Sequence, residues 1–209
     1  MKIELKNAKR ADVSHMERHY PLQYKQYGIN DPDTTEHYKL LSYLASLFNN
    51  AIIFDVGTAK GMSALAMARS NNTIISYDIK NYVPEWASEY PNVIFKTRTN
   101  INDNHPDGNN YQYINSASFI LLDIDPHLGK QEDKFLKIIK KIQYKGLILY
   151  DDIDLNDQMR KMWTTIMEPK YDITEFGHAS GSGLVDYSEK HEIITYDDSM
   201  TRFLNPSDG

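Results

Sequence analysis

Ile52-Ile53-Phe54-Asp55-Val56-Gly57-Thr58-Ala59-Lys60-Gly61 is the stretch that decides the fold. Residues 51–56 form a short apolar run that reads as a buried strand. Asp55-x-Gly57-x-x-x-Gly61 follows, and 62–69 reads as a helix of small and apolar residues. Gly57 permits a tight turn or a positive φ, Gly61 lets the helix pack close to the strand, and Ser63 places a hydroxyl near the helix start. A dinucleotide loop needs Gly-x-Gly-x-x-Gly, whose middle glycine lets the backbone approach a pyrophosphate. Ala59 holds that place here, followed by Lys60, and no Gly-Lys-Ser/Thr phosphate loop occurs. The loop therefore suits a nucleoside ligand without phosphates better than NAD or ATP.

Outward from this loop, helix and strand alternate. A helix over 34–48 carries Leu40, Leu41, Leu44 and Leu47 on one face. Strands are expected at 73–78, 93–97, 117–123 and 146–150, with helices at 84–89, 130–142 and 157–167. Residues 100–110 are rich in Asn, Asp, Pro and Gly and read as a loop. Residues 172–176 and 184–187 read as a closing hairpin around a 178–183 turn, with 192–196 pairing beside it. Residues 1–33 read as an irregular N-terminal extension, and 34–209 as the domain. Strands apolar on both faces that alternate with helices predict a doubly wound, mostly parallel α/β sheet, here of seven strands with an antiparallel edge.

Ligands in such sheets bind beyond the carboxyl ends of the strands. Asp55, Asp78, Asp123, Asp151 and Asp152 are all expected at those ends. Asp78 falls 21 residues after Gly57, the separation at which a carboxylate accepts ribose hydroxyls.

These residues resemble a known family. Phe54 to Ser63 is similar to the first motif of class I S-adenosylmethionine-dependent methyltransferases, and Ile75-Ser76-Tyr77-Asp78 to their second. The resemblance covers about residues 35–196 and implies the Rossmann-like methyltransferase fold. It implies a cofactor site made by Asp55, Gly57, Thr58, Gly61, Ser63, Asp78 and Asp123. Backbone near Gly57 would hold the methionine moiety, Asp78 the ribose, and the region of Asn100 to Asp103 the adenine.

Asp123-Ile124-Asp125-Pro126-His127 and Tyr150-Asp151-Asp152 end two adjacent strands. Clustered carboxylates raise one another's pKa unless a cation joins them. Oxygen ligands from Asp123, Asp151 and Asp152 would select Mg²⁺ or Ca²⁺. The pattern is similar to catechol-type and caffeoyl-coenzyme-A-type O-methyltransferases, with Asp152 standing where those have Asn. Asp125-Pro126-His127 looks more like the Asp-Gly-Asp-His variant of a branch that includes sugar- and antibiotic-modifying enzymes. The resemblance thus implies methyl transfer to a hydroxyl of a small molecule or sugar, with Asp123, Asp151 and His127 as the catalytic set. His127 is the expected general base, and His178 a weaker candidate. A hydroxylase of the same fold and an inactive cofactor-binding module are the rival readings.

Composition narrows the partners. The net charge of −6 and the absence of a basic stripe argue against nucleic acid. Lys134, Lys137, Lys140 and Lys141 read as one solvated helix face. The chain has no cysteine, which removes disulfides, thiolate metal sites and a thiol nucleophile together. The N-terminal residues carry no apolar leader and no run is long enough to span a bilayer, so a soluble cytoplasmic protein is expected. Tyr20, Tyr24, Tyr27 and Tyr38 are candidates for a lid over the acceptor, for packing the extension onto the domain or for a contact between copies, which leaves the oligomeric state open.

Overall fold

The computed structural model describes residues 1–19, 32–57, 59–101 and 109–195. In chain order the elements are β1 (Lys2–Glu4), α1 (Pro32–Ser46), β2 (Ile52–Val56), α2 (Met62–Met67), β3 (Thr73–Tyr77), β4 (Val93–Lys96), α3 (Asn109–Ser116), β5 (Ala117–Leu122), α4 (Lys130–Ile142), β6 (Leu147–Asp151), α5 (Asp157–Thr164), β7 (Lys170–Asp172), β8 (Ser182–Asp186) and β9 (Glu192–Ile194). Short 3-10 turns occupy Leu5–Arg10, Ser14–His19, Glu85–Glu89 and Thr174–Phe176.

Seven strands form one sheet in the order β4-β3-β2-β5-β6-β8-β7. The first five run parallel and β8 is antiparallel to both of its neighbours. This is the expected doubly wound sheet with its terminal hairpin. The order reverses between β2 and β5, so the switch point lies where the glycine loop leaves β2.

The apolar runs are continuous because both sheet faces are covered. Ile53, Phe119, Leu121, Leu147 and Leu149 pack with Leu40, Leu41, Leu44 and Leu65 from α1 and α2. Phe54, Ile120, Leu122, Ile148 and Tyr150 face the other way, onto Phe135 and Ile139 of α4 and Met159 of α5. The two layers alternate residue by residue along β5, as the pleat requires. The four lysines on α4 are exposed on the face opposite Phe135 and Ile139.

Several local expectations change. Residues 1–19, expected to be irregular, contain a strand and two turns, and Ile3, Leu5, Ala8 and Met16 are fully buried in the α1/α2 layer. The 192–196 segment does not join the hairpin. Glu192–Ile194 pairs in parallel with Lys2–Glu4 as a separate two-stranded sheet, Ile3 opposite Ile193. The hairpin's first strand is Lys170–Asp172, and 174–176 is a 3-10 turn, because Asp172 accepts hydrogen bonds from the Thr174 backbone and hydroxyl (3.1 and 2.6 Å) and turns the chain. Ser182 and Gly183 belong to β8 rather than to the turn. The loop at 100–110 ends earlier than expected, with Asn109 opening α3. No helix among the described residues is long and apolar enough to cross a membrane.

Phe119 is fully buried and stacks on Phe48 with ring centroids 6.4 Å apart and ring planes nearly parallel. Phe119→Ala should cost about 3–5 kcal/mol. Urea unfolding followed by circular dichroism reads this as a lower midpoint with little change in slope.

Candidate functional site

Gly57 adopts φ +97°, and a Cβ there would lie 1.5 Å from the carbonyl oxygen of Asp123. Glycine is therefore required both for the turn and for the approach of the loop to the end of β5. Asp123 N–H in turn donates to the Val56 carbonyl at 2.9 Å. Gly61, at φ +81°, opens α2, and its missing Cβ makes room for Pro84 and Trp86 from the segment after β3. The expected contact with the strand is replaced by this one. Thr58 lies outside the described residues, as do Tyr20, Tyr24, Tyr27 and 102–103 of the expected adenine region.

Asp78 directly follows β3. Its carboxylate accepts from the Ala59 N–H at 2.8 Å and from the Lys80 N–H at 2.7 Å. It thereby ties the glycine loop to the neighbouring strand end. Two oxygens offer about four acceptor positions, so Asp78 retains acceptor capacity toward a ligand.

Asp55 departs from its expected place. It lies within β2 rather than at its mouth, is fully buried, and accepts from Ser76 Oγ at 2.7 Å. It supports the floor of the loop and does not line the cleft.

The cleft over the strand ends measures about 390 Å³, inside the range of small-molecule sites, roughly 300–1,000 Å³. Gly57, Ser63 and Asp78 line one half, with Thr99, Asn100 and Ile101 beside them. Asp123, His127, Asp151, Asp152 and His178 line the other half, and His37 and Tyr38 of α1 close it. The carboxylates at 123, 151 and 152 are thus together, as expected.

Consecutive strand residues normally point to opposite faces. Asp152 avoids this by leaving β6 with φ +58°, so that Asp151 and Asp152 both reach the cleft. Asp152 Oδ1 accepts from Ser180 Oγ, which also contacts His178 Nδ1. Asp152 Oδ2 lies 3.4 Å from His127 Nε2, and Asp123 Oδ1 lies 3.6 Å from the same nitrogen. His127 itself is held by its carbonyl, which accepts from Asn156 Nδ2 at 2.8 Å.

His37 was not visible as a site residue in the sequence. It is buried on the inner face of α1, with Nδ1 3.8 Å from Asp151 Oδ1. Neither atom has a hydrogen-bond partner among the described residues. Its ring also meets His178 edge-on at 5.5 Å. Burial pushes the His37 pKa below the usual range, with Asp151 opposing, so the ring is neutral near pH 7.

Burial raises the Asp123 carboxyl well above the usual range, and Asp151 and Asp152 raise it further. Its side chain keeps 32% of its surface open to the cleft, so water softens the burial effect while the neighbouring carboxylates keep its direction. Burial also works to raise Asp152, but hydrogen bonds from His178 and Ser180 outweigh it and leave that carboxyl below the usual range.

Solved structures share this architecture. They include a methyltransferase from Podospora anserina bound to S-adenosylhomocysteine, at TM-score 0.56 and 15% identity, covering 87% of this chain and 95% of that one. A TehB-like S-adenosylmethionine-dependent methyltransferase from Corynebacterium glutamicum aligns at TM-score 0.53 and 10% identity, covering 84% and 100%. A methyltransferase from Geobacter sulfurreducens aligns at 0.52 and 13%, covering 83% and 89%. The chain has the Rossmann-like methyltransferase fold. At these identities the likeness is one of fold. A scan of family models returns no match, and neither does a search among curated proteins.

The two shifted carboxyls predict opposite pH effects. Asp123 keeps a proton in the folded protein that the unfolded chain releases near pH 3.9, so it costs stability as pH rises above that value toward its folded pKa. Asp152 is the reverse, adding stability above the unfolded value and losing it as pH falls through its folded pKa. Near pH 7, Asp123→Asn should raise the melting temperature and Asp152→Asn should lower it, by about 2–4 °C for each kcal/mol. The Asp123→Asn gain should close as the pH approaches about 4. Thermal scans across pH check both signs.

Proposed function

We propose that the protein transfers a methyl group from S-adenosylmethionine to a hydroxyl of a small molecule or sugar. The observation that carries this reading is Asp78, which follows the second strand of the sheet, is fastened to the glycine loop and faces the cleft. The motif resemblance and the fold support it, as do the structural neighbours, one bound to S-adenosylhomocysteine and one S-adenosylmethionine-dependent.

S-adenosylmethionine supplies an activated methyl group, whose C–S bond breaks as the C–O bond to the acceptor forms. The residues act around that exchange. Backbone at Gly57 and the start of α2 cradle the methionine end, Asp78 accepts the ribose hydroxyls, and Thr99 to Ile101 flank the adenine. Asp123, Asp151 and Asp152 orient the acceptor, and His127 Nε2 takes its hydroxyl proton. Proximity, alignment and exclusion of water are the main contributions of such a site.

The carboxylate cluster also fits a divalent cation. Asp151 Oδ1 is buried in the cleft wall without a hydrogen-bond partner among the described residues, an arrangement that costs about 1–3 kcal/mol unless something satisfies it. Asp123, Asp151 and Asp152 would hold such a cation, which would polarise the acceptor hydroxyl and lower its pKa. The Asp151-Asp152 pair supports a reading near the catechol-type branch, although Asp152 departs from its Asn, and Asp125-Pro126-His127 supports one near the Asp-Gly-Asp-His-type branch.

Calorimetry with S-adenosylhomocysteine is the direct test. The wild-type chain should bind, and Asp78→Ala should weaken binding at least about tenfold through loss of charge-assisted hydrogen bonds. Absence of binding at millimolar ligand, for both S-adenosylmethionine and S-adenosylhomocysteine, would reject the cofactor assignment.

A further inference from the structure

Asp151, Asp152 and His178 each place a ligand atom within 4.8 Å of the other two. They come from two elements that the sheet brings side by side. Asp151 ends β6, where it pairs with Ser182 at the start of β8, and His178 lies in the turn that leads into β8. Gly181, at φ +103°, donates its N–H to the His178 carbonyl at 2.9 Å and folds that turn back over the strand end. Asp152 turns into the same space through its left-handed backbone. The cluster is therefore built by backbone geometry and is not an accident of long flexible side chains.

A second observation points to a ligand at this place. Asp151 is 93% buried and His37 is 94% buried, yet Asp151 Oδ1 and His37 Nδ1 face each other at 3.8 Å and neither is hydrogen-bonded among the described residues. The Asp151 oxygen is an electron-pair donor that nothing among the described residues satisfies. A cation entering between Asp151 and Asp152 satisfies that oxygen.

We propose that this chain binds a first-row transition-metal divalent ion through Asp151, Asp152 and the imidazole of His178, beside the buried ring of His37. This rests on the reading above that the carboxylate cluster takes a cation, and it changes which ion and which ligands. An all-oxygen set selects Mg²⁺ or Ca²⁺. A nitrogen donor moves the preference to Mn²⁺, Fe²⁺, Co²⁺ or Zn²⁺, in the rising order of imidazole affinity. Ser180, hydrogen-bonded to both Asp152 and His178, acts as the outer partner that orients two ligands at once. His127 remains on the Asp123 side of the cleft, where its Nε2 faces Asp123 and Asp152.

The test uses the full chain stripped with a chelator and titrated with Co²⁺, read by visible d–d absorption. One Co²⁺ should bind per chain, with Mn²⁺ and Zn²⁺ displacing it. Mg²⁺ and Ca²⁺ should need at least about a hundredfold more, the scale set by losing a nitrogen donor. His178→Gln and Asp151→Asn should each weaken Co²⁺ at least about tenfold and change its spectrum, while both variants still bind S-adenosylhomocysteine. Displacement by Mg²⁺ or Ca²⁺ at concentrations comparable to Zn²⁺ overturns the proposal but keeps a cation at the site. Weakening by His127→Gln and not by His178→Gln also overturns it, because the ion then belongs to the Asp123 side. No binding of any of these ions removes the cation reading itself. A chain that binds Co²⁺ as described but not S-adenosylhomocysteine keeps this inference and loses the cofactor assignment instead.

Discussion

The cleft depends on one close approach, the backbone of Gly57 against the carbonyl of Asp123. These residues leave β2 and β5, the two strands that flank the reversal of strand order. Helices wind away on opposite faces there, so a crevice opens above the sheet. The crevice is usable because the loop lies flat across its floor. Any side chain at 57 would lift the loop from β5 and separate the half of the cleft that holds Asp78 from the half that holds Asp123. The Asp123 N–H to Val56 bond and the Asp78 carboxylate on Ala59 N–H hold the loop from its two sides. The nucleoside half and the acidic half are therefore fixed relative to each other by backbone contacts and short carboxylate bonds.

Charge then becomes the governing problem. Three carboxylates converge at the mouth, and burial drives Asp123 toward its protonated form. Asp152 escapes this by drawing on His178, Ser180 and His127. The site thus holds one carboxyl above the usual range and one below it within the same few ångströms. Environments that push neighbouring groups apart in this way are characteristic of functional sites. They are also costly to maintain, since buried charge is unfavourable unless it is paired.

Much of the architecture was legible in the sequence, and the reason is periodicity. Runs such as Phe119 to Leu122 are apolar at every position, which only a doubly covered sheet explains, and Lys130–Ile142 carries a clean amphipathic repeat. The aspartates were legible because carboxylates at strand ends are conspicuous after apolar runs. Asp55 was expected at the mouth, but the strand runs on to Val56 and the Asp55 carboxylate is buried against Ser76. The pairing of Lys2–Glu4 with Glu192–Ile194 could not be read, since each strand is three residues long and the partners lie at opposite ends of the sequence. The 109–116 helix was hidden because Asn109 and Asn110 continue a run of turn-forming residues into its first turn.

His37 marks where sequence reasoning stops and tertiary structure begins. In the 34–48 periodicity it precedes the first of the core leucines and looks like an ordinary polar residue at the start of a helix. Only the docking of α1 on the sheet brings its ring over Asp151. There it meets Asp151, whose buried Oδ1 lacks a hydrogen-bond partner among the described residues. The same contact joins the apolar and polar halves of the molecule. Leu40, Leu41 and Leu44 bury α1 against β5 and β6, and that burial, roughly 1.5–3 kcal/mol for each side chain, is ample to hold an imidazole over a carboxylate it does not bond. The unfavourable pairing is thus sustained by packing one turn away, which is how a fold can keep a polar site open for something other than itself.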